Sequence, residues 1–225
     1  VVWFLGDACF PVVRAAVQNL PDAGNFSAGK LDWSGAPAQM LAEGKFLAFD
    51  VDLNHSGQIR SIADIQIEFG ADSLRIFSLL GYVEIFYPSG FFTPFNRPAL
   101  EPLWNAWSAE ILFFAGVATV IGLPLVWAAL ATIYFLPVWI LGFFANRDLN
   151  FRAGWKLSGA ALLPGALLLT AAIFFYNFGA LTLVQFIFIF AAHFVLGWIY
   201  LFAGLLFVPR NSAAPSGHNP FKPRR

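Results

Sequence analysis

Residues 111–146 and 157–209 contain no aspartate, glutamate, lysine or arginine. A helix needs about 20 apolar residues to cross the hydrocarbon core of a bilayer. The first stretch therefore accommodates one long span, and the second accommodates two if it folds back on itself. The island between them carries Arg147, Arg152 and Lys156 against Asp148 alone, and Arg210, Lys222, Arg224 and Arg225 follow the second stretch. Residues 14–110 have the opposite balance, with eleven acidic side chains against six basic ones. Short loops rich in Lys and Arg stay on the cytoplasmic side of a membrane. The sequence thus predicts a polytopic α-helical membrane protein with basic cytoplasmic edges and an acidic domain outside.

The formal net charge of +0 conceals this sorting, so overall charge says little about partners. A hydrophobic content of 59% and a mean hydropathy of +0.68 exceed the roughly half apolar composition of soluble domains. Trp104, Trp107, Trp127, Trp139, Trp155 and Trp198 fall near the expected interfaces, where amphipathic rings prefer the headgroup level. Cys9 is the single cysteine, which excludes an internal disulfide and reads as a small buried residue. The basic residues are too few, and too confined to membrane edges, to form a nucleic-acid surface.

The only methionine is Met40, and residues 1–10 are apolar apart from Asp7 and too short to cross a bilayer alone. Residues 1–20 therefore read as the end of a first transmembrane helix that begins upstream, making about four spans in all. The sequence Pro21-Asp22-Ala23-Gly24 stops that helix with turn chemistry. Residues 21–102 read as a small α+β extracytoplasmic domain with its linker. Strands are predicted over 29–33, 45–53, 63–69, 73–80 and 81–87, and a short helix over 36–43. Ile65, Ile67 and Phe69 alternate with Asp64, Gln66 and Glu68. That period predicts a half-buried strand with its apolar side chains inward, near Phe49 and Val51, and with Gln66 and Glu68 exposed. The domain is expected to be a meander, followed by a proline-rich linker over 89–102. Residues 103–209 form the three-helix transmembrane domain, in which Pro124 and Pro137 bend the first helix and Asn177-Phe178-Gly179 makes the outside turn. Residues 210–225, rich in Pro, Ser and Asn, read as a disordered basic cytoplasmic tail.

The basic loop Arg147-Asp-Leu-Asn-Phe-Arg-Ala-Gly-Trp-Lys-Leu157 leads into a helix with Ala160-Ala-Leu-Leu-Pro164. This pattern resembles the Yip-type membrane superfamily and its bacterial branch of uncharacterised proteins with an extracytoplasmic domain. In these a basic loop precedes a span carrying an early proline. Leu20-Pro21 and Gly29-Lys30-Leu31 stand where that branch has Leu-Pro and a Gly-Lys-Leu segment, while Asn150 replaces the usual serine. The resemblance implies a non-enzymatic integral membrane protein. The vesicle-traffic role of the eukaryotic members is not carried over to a protein with an outside domain.

Polar groups inside spans are costly and are functional suspects by default. His193, flanked by Ala192 and followed by Trp198, is the sharpest. As a ligand it would offer an imidazole nitrogen to a chlorophyll-type pigment or haem. The spacing to Trp198 resembles single-span light-harvesting polypeptides, although Ile189 stands where those prefer a small residue. The alternative is a hydrogen bond within the bundle, for example to Gln185 or Tyr200. Asn177 is expected to cap the turn and Gln185 to bond between helices. Glu110 is expected at headgroup level. Asp50, Asp52 and Asn54 superficially resemble a calcium loop, but the glycine and the closing glutamate are out of place. Ser34, His55 and Asp64 supply the residue types of a hydrolase, yet no nucleophile-elbow motif marks a serine.

These features point to a non-enzymatic accessory or scaffold protein of the cell (inner) membrane, in contact with the bilayer and with other membrane proteins, needing no cofactor and no metal. A subunit of a photosynthetic or respiratory complex contacting a pigment or haem through His193 is the second expectation. A small-solute transporter is the third, without the matching broken helices such folds show.

Overall fold

The computed structural model describes residues 1–210. Two compact units result, Val1–Val120 and Ile121–Arg225. The expected disordered tail lies, from residue 211 onward, outside the described residues.

The first unit opens with α1 (Val2–Phe4), a π-helical segment (Leu5–Cys9) and α2 (Phe10–Gln18). Pro11 sits in the first turn of α2, directly after the π-helical segment. Val12 and Ala16 of α2 are buried in one core with Leu20, Phe26, Leu31, Leu41, Val51 and Phe95. Residues 10–18 thus serve the sheet domain with their apolar face.

Eight strands follow: β1 (Gly24–Ser27), β2 (Lys30–Trp33), β3 (Ala38–Glu43), β4 (Leu47–Asp52), β5 (Ile65–Phe69), β6 (Ser73–Ser78), β7 (Gly81–Phe86) and β8 (Thr93–Pro94). They make a three-stranded sheet in the order β2-β1-β8 and a five-stranded sheet in the order β3-β4-β5-β6-β7. The helix expected over 36–43 is a strand. Ala, Gln, Met, Leu and Glu favour helix locally, but pairing along β4 and burial of Leu41 and Ala42 override that preference. Nor is the domain a simple meander, because β4 and β5 pair in parallel. Parallel neighbours need a crossover, and residues 53–64 provide it. The linker expected over 89–102 contains β8, and α3 begins within it at Arg97. Asn96 caps α3 by accepting from the Ala99 N–H at 3.1 Å.

The expected facing of β5 is corrected most. Ile65 is 43% exposed and Ile67 and Phe69 are half-buried, whereas Gln66 and Glu68 are 5% and 1% exposed. The apolar face does look toward the shared core, where Phe69 packs against it. The crossover loop covers the opposite face: the Gln66 amide donates to the Ile59 carbonyl and its oxygen accepts from the Ser61 N–H. Both sides of β4 and β5 are therefore covered, and the polar side is covered more completely.

α3 (Arg97–Phe144) is one uninterrupted helix of 48 residues that begins in the first unit and continues into the second. The second unit adds α4 (Phe151–Ala161), α5 (Leu163–Asn177) and α6 (Leu183–Phe207). The one membrane-length stretch Phe151–Asn177 is built of these two segments, α4 and α5, which meet at Leu162, the residue before Leu163-Pro164. Pro164 cannot donate to the ladder and so fits a first turn. Asn150, the departure from the Yip-type pattern, caps α4 by accepting from the Ala153 N–H at 2.9 Å. Among the described residues three helical stretches are long and apolar enough to cross a membrane: Arg97–Phe144, Phe151–Asn177 and Leu183–Phe207. A small core of Tyr134, Val138, Ala161 and Leu201 holds the second unit together.

Candidate functional site

The parallel register of β4 and β5 sets Asp50 beside Glu68, and the next two pairings set Glu68 beside Arg75 and Arg75 beside Glu84. Four charged residues thus form one row across four strands, on the face the crossover loop covers. His55 enters this row from the turn after β4. Its φ of 49° lies in the left-handed region. The turn is held by Asp52, whose Oδ2 accepts from Ser56 Oγ at 2.8 Å and from the Gly57 N–H at 2.9 Å.

His55 Nδ1 is 2.6 Å from Glu68 Oε1, and Nε2 is 2.9 Å from Ser73 Oγ. Gly70 makes room for the ring, since a Cβ there would overlap Nε2. Ser73 Oγ in turn donates to Glu84 Oε1 at 3.0 Å, which also accepts from Arg75 Nε at 2.9 Å. Serine, histidine and glutamate are thereby connected as in an acyl-transfer triad. In that arrangement the nucleophile gives its proton to the histidine, whereas here the Ser73 hydroxyl is directed at Glu84 Oε1. Ser73 is also only 1% exposed. The chain Glu68–His55–Ser73–Glu84–Arg75 runs from the buried Glu68 and Ser73 to the half-buried Arg75 and Glu84.

Burial pushes the Asp50 carboxyl up to about 7, with the Glu68 and Asp52 charges adding to the effect and the hydrogen bond from Gln66 opposing it. Burial alone would raise Asp52 as well, but hydrogen bonds from the Ser56 side chain and from the turn's backbone outweigh it and hold the group low. The hydrogen bond from Arg75, then that from Ser73, hold Glu84 low. Asp50 Oδ2 and Glu68 Oε2 are buried without a hydrogen-bond partner. No group of three or more His, Cys, Asp or Glu side chains among the described residues is arranged to hold a metal ion.

Of the hydrolase residue types in the sequence, only His55 belongs to this cluster; the serine and the carboxylate beside it are Ser73 and Glu68, not Ser34 and Asp64. The cluster had a signal in the sequence. Asp50 and Asp52 on one strand, and Gln66 and Glu68 on the next, each form an every-second-residue polar row. Those rows coincide when the strands pair in register.

In the helical unit, the His193 imidazole bonds neither to Gln185 nor to Tyr200. Its Nδ1 is bonded to the Phe190 carbonyl of its own helix, and its backbone approaches Gly165 of α5 so closely that a Cβ there would meet the His193 carbonyl. Gln185 makes no bond between helices. It forms a capping box with Thr182, each side chain accepting from the other's backbone N–H at 2.9 and 3.3 Å. Asn177 is the last residue of α5, at the turn where it was expected. The basic residues gather at the other end of the helices. Arg147 bridges to Arg210, its Nη1 donates to the Val208 carbonyl at 2.7 Å, and Arg152 and Lys156 are exposed on α4.

No family model, curated protein or solved structure matches this chain.

Proposed function

We propose that this chain is a non-enzymatic membrane accessory protein whose sheet domain lies on the extracytoplasmic side of the cell membrane and takes up an extended segment of another membrane protein along β7. The observation that carries the reading is the contrast between the two edges of the five-stranded sheet. The β3 edge is bulged between Met40 and Ala42 and packs against α2, with Asn19 Nδ2 donating to the Leu41 carbonyl at 2.7 Å. Those are devices that keep an edge from pairing with another chain. The β7 edge has neither. Tyr82, Val83, Ile85 and Phe86 are 56%, 63%, 48% and 67% exposed, with side chains on both faces of the strand. Strand addition supplies affinity through the backbone and specificity through alternate side-chain contacts. The commitment of the Ser73 hydroxyl to Glu84 supports the absence of catalysis, and the basic ends of the helices support the orientation.

Native mass measurement of the full chain in mild detergent tests the proposal. The wild-type chain is expected to travel with a second membrane protein, and Val83→Lys with Ile85→Lys to travel without it. Association that survives both substitutions would overturn the β7 assignment.

A further inference from the structure

The second unit carries a half-open cavity of about 340 Å³, with Trp127 and Tyr134 of α3, Leu169 of α5, and His193, Phe194 and Gly197 of α6 in its walls. That volume is at the lower end of the range of about 300–1,000 Å³ found for small-molecule sites, which are mostly apolar with a few placed polar groups. The polar groups here are of defined kind. A backbone carbonyl can only accept, so His193 Nδ1, bonded to the Phe190 carbonyl, carries the hydrogen. The neutral ring then offers Nε2 as an acceptor, and among the described residues nothing donates to it. The Tyr134 hydroxyl can donate or accept, while Trp127 Nε1 lies beside Gly159 of α4. His193 stands near the middle of α6 (Leu183–Phe207), one of the helices apolar enough to cross a membrane. At that depth an unused imidazole nitrogen has no water to satisfy it.

We propose that this cavity binds a lipid-soluble hydroxylated ring, a phenol or hydroquinone, whose O–H donates to His193 Nε2. The aromatic walls fit a flat ring, and ring contacts of this kind favour offset or edge-on packing. Leu123 and Val126 complete the lining and are 65% and 56% exposed, so an apolar tail on the ring leaves the cavity across them. The accessory role at β7 assigns no ligand to the helices, and neither reading depends on the other. A tetrapyrrole could use the same nitrogen through its metal, but it is much larger than a single ring.

The test uses the full chain in lipid nanodiscs with a decyl-substituted hydroquinone, and with the same compound methylated at both hydroxyls. Saturable quenching of tryptophan fluorescence by the hydroquinone is expected, about tenfold weaker for the dimethyl ether, which lacks the donor. His193→Leu should weaken hydroquinone binding about tenfold and leave the ether unaffected. His193→Gln, which keeps an acceptor, should restore most of the affinity. If His193→Leu fails to assemble, the comparison of hydroquinone with ether on the wild-type protein decides alone. Equal binding of the two compounds would overturn the proposal. So would a Soret or near-infrared band in the purified protein that disappears in His193→Leu with the helices intact, because the cavity would then belong to a macrocycle.

Discussion

Asp50 and Glu68 are register partners on parallel strands, both essentially sealed from solvent, and each keeps one carboxylate oxygen without a hydrogen-bond partner. A proton on Asp50 Oδ2, donated to Glu68 Oε2, would satisfy both oxygens at once. This agrees with the rise of the Asp50 carboxyl from an ordinary 3.8 to about 7 through burial. A raised folded-state value means the folded domain binds the proton more tightly than the unfolded chain does. Its stabilising contribution is then complete below about pH 4 and is lost as pH rises through about 7. Glu84, held low by Arg75, acts in the opposite sense and is lost in acid. Urea unfolding of the sheet domain in the full chain should show stability falling from about pH 4 to about pH 7 and levelling off above that. Asp50→Asn, whose amide replaces the carboxyl donor, should flatten that fall. An unchanged slope in the variant would place the titrating group elsewhere.

Gly70 and His55 make a second coupled pair. Gly70→Ala should displace the imidazole from Ser73 and lower stability by about 1–3 kcal/mol, the usual range for overpacking. In a His55→Ala background the same substitution should add little, because the ring it strikes is gone. Additive losses in the double-mutant cycle would show that the glycine is required for something other than the histidine.

The orientation of the sheet can be read from two truncations. Leu41 is 2% exposed in the core beside α2, whereas Ile65 is 43% exposed. Leu41→Ala should cost about 2–5 kcal/mol. Ile65→Ala should cost less than about 1 kcal/mol. A reversed ranking would restore the face that alternation alone suggests for β5.

Legibility in the sequence followed the reach of the interactions. The uncharged stretches yielded the apolar helices, since length and apolar content act locally and the described residues contain helices that fit. Strands at Leu47–Asp52, Ser73–Ser78 and Gly81–Phe86 announced themselves through apolar residues between turn residues such as Gly70, Gly81 and Pro88. Strand β3 did not, because its residues favour helix and only pairing with β4 decides otherwise. The buried polar row was misread for a related reason. Period two shows that Gln66 and Glu68 share a face, but not whether a loop returns to cover it. Residues 53–64 do so only because β4 and β5 are parallel, a long-range property. By contrast, Thr182-Leu-Val-Gln185 has the local spacing of a capping box ahead of an apolar run, so the return of Gln185 to Thr182 was legible in the sequence, although Gln185 was expected to bond between helices.

Sidedness gives the last prediction. Arg147 and Arg210 meet in a two-residue bridge, which brings the loop after α3 and the end of α6 to the same end of the helical unit. Arg152 and Lys156 follow within the first turns of α4. Each lysine or arginine in a short loop opposes transfer across the membrane, so four of them at one end act together. This end should be cytoplasmic and the sheet domain outside. Leu80, 92% exposed at the β6–β7 turn, and Asp148, exposed in the basic loop, suit cysteine labelling once Cys9 is replaced by serine. A membrane-impermeant maleimide applied to intact cells should modify Leu80→Cys at once, and Asp148→Cys only after the membrane is permeabilised. The reverse pattern would put the acidic domain in the cytoplasm. The β7 edge would then face cytoplasmic partners, and charge sorting would have failed as a guide to orientation in this chain.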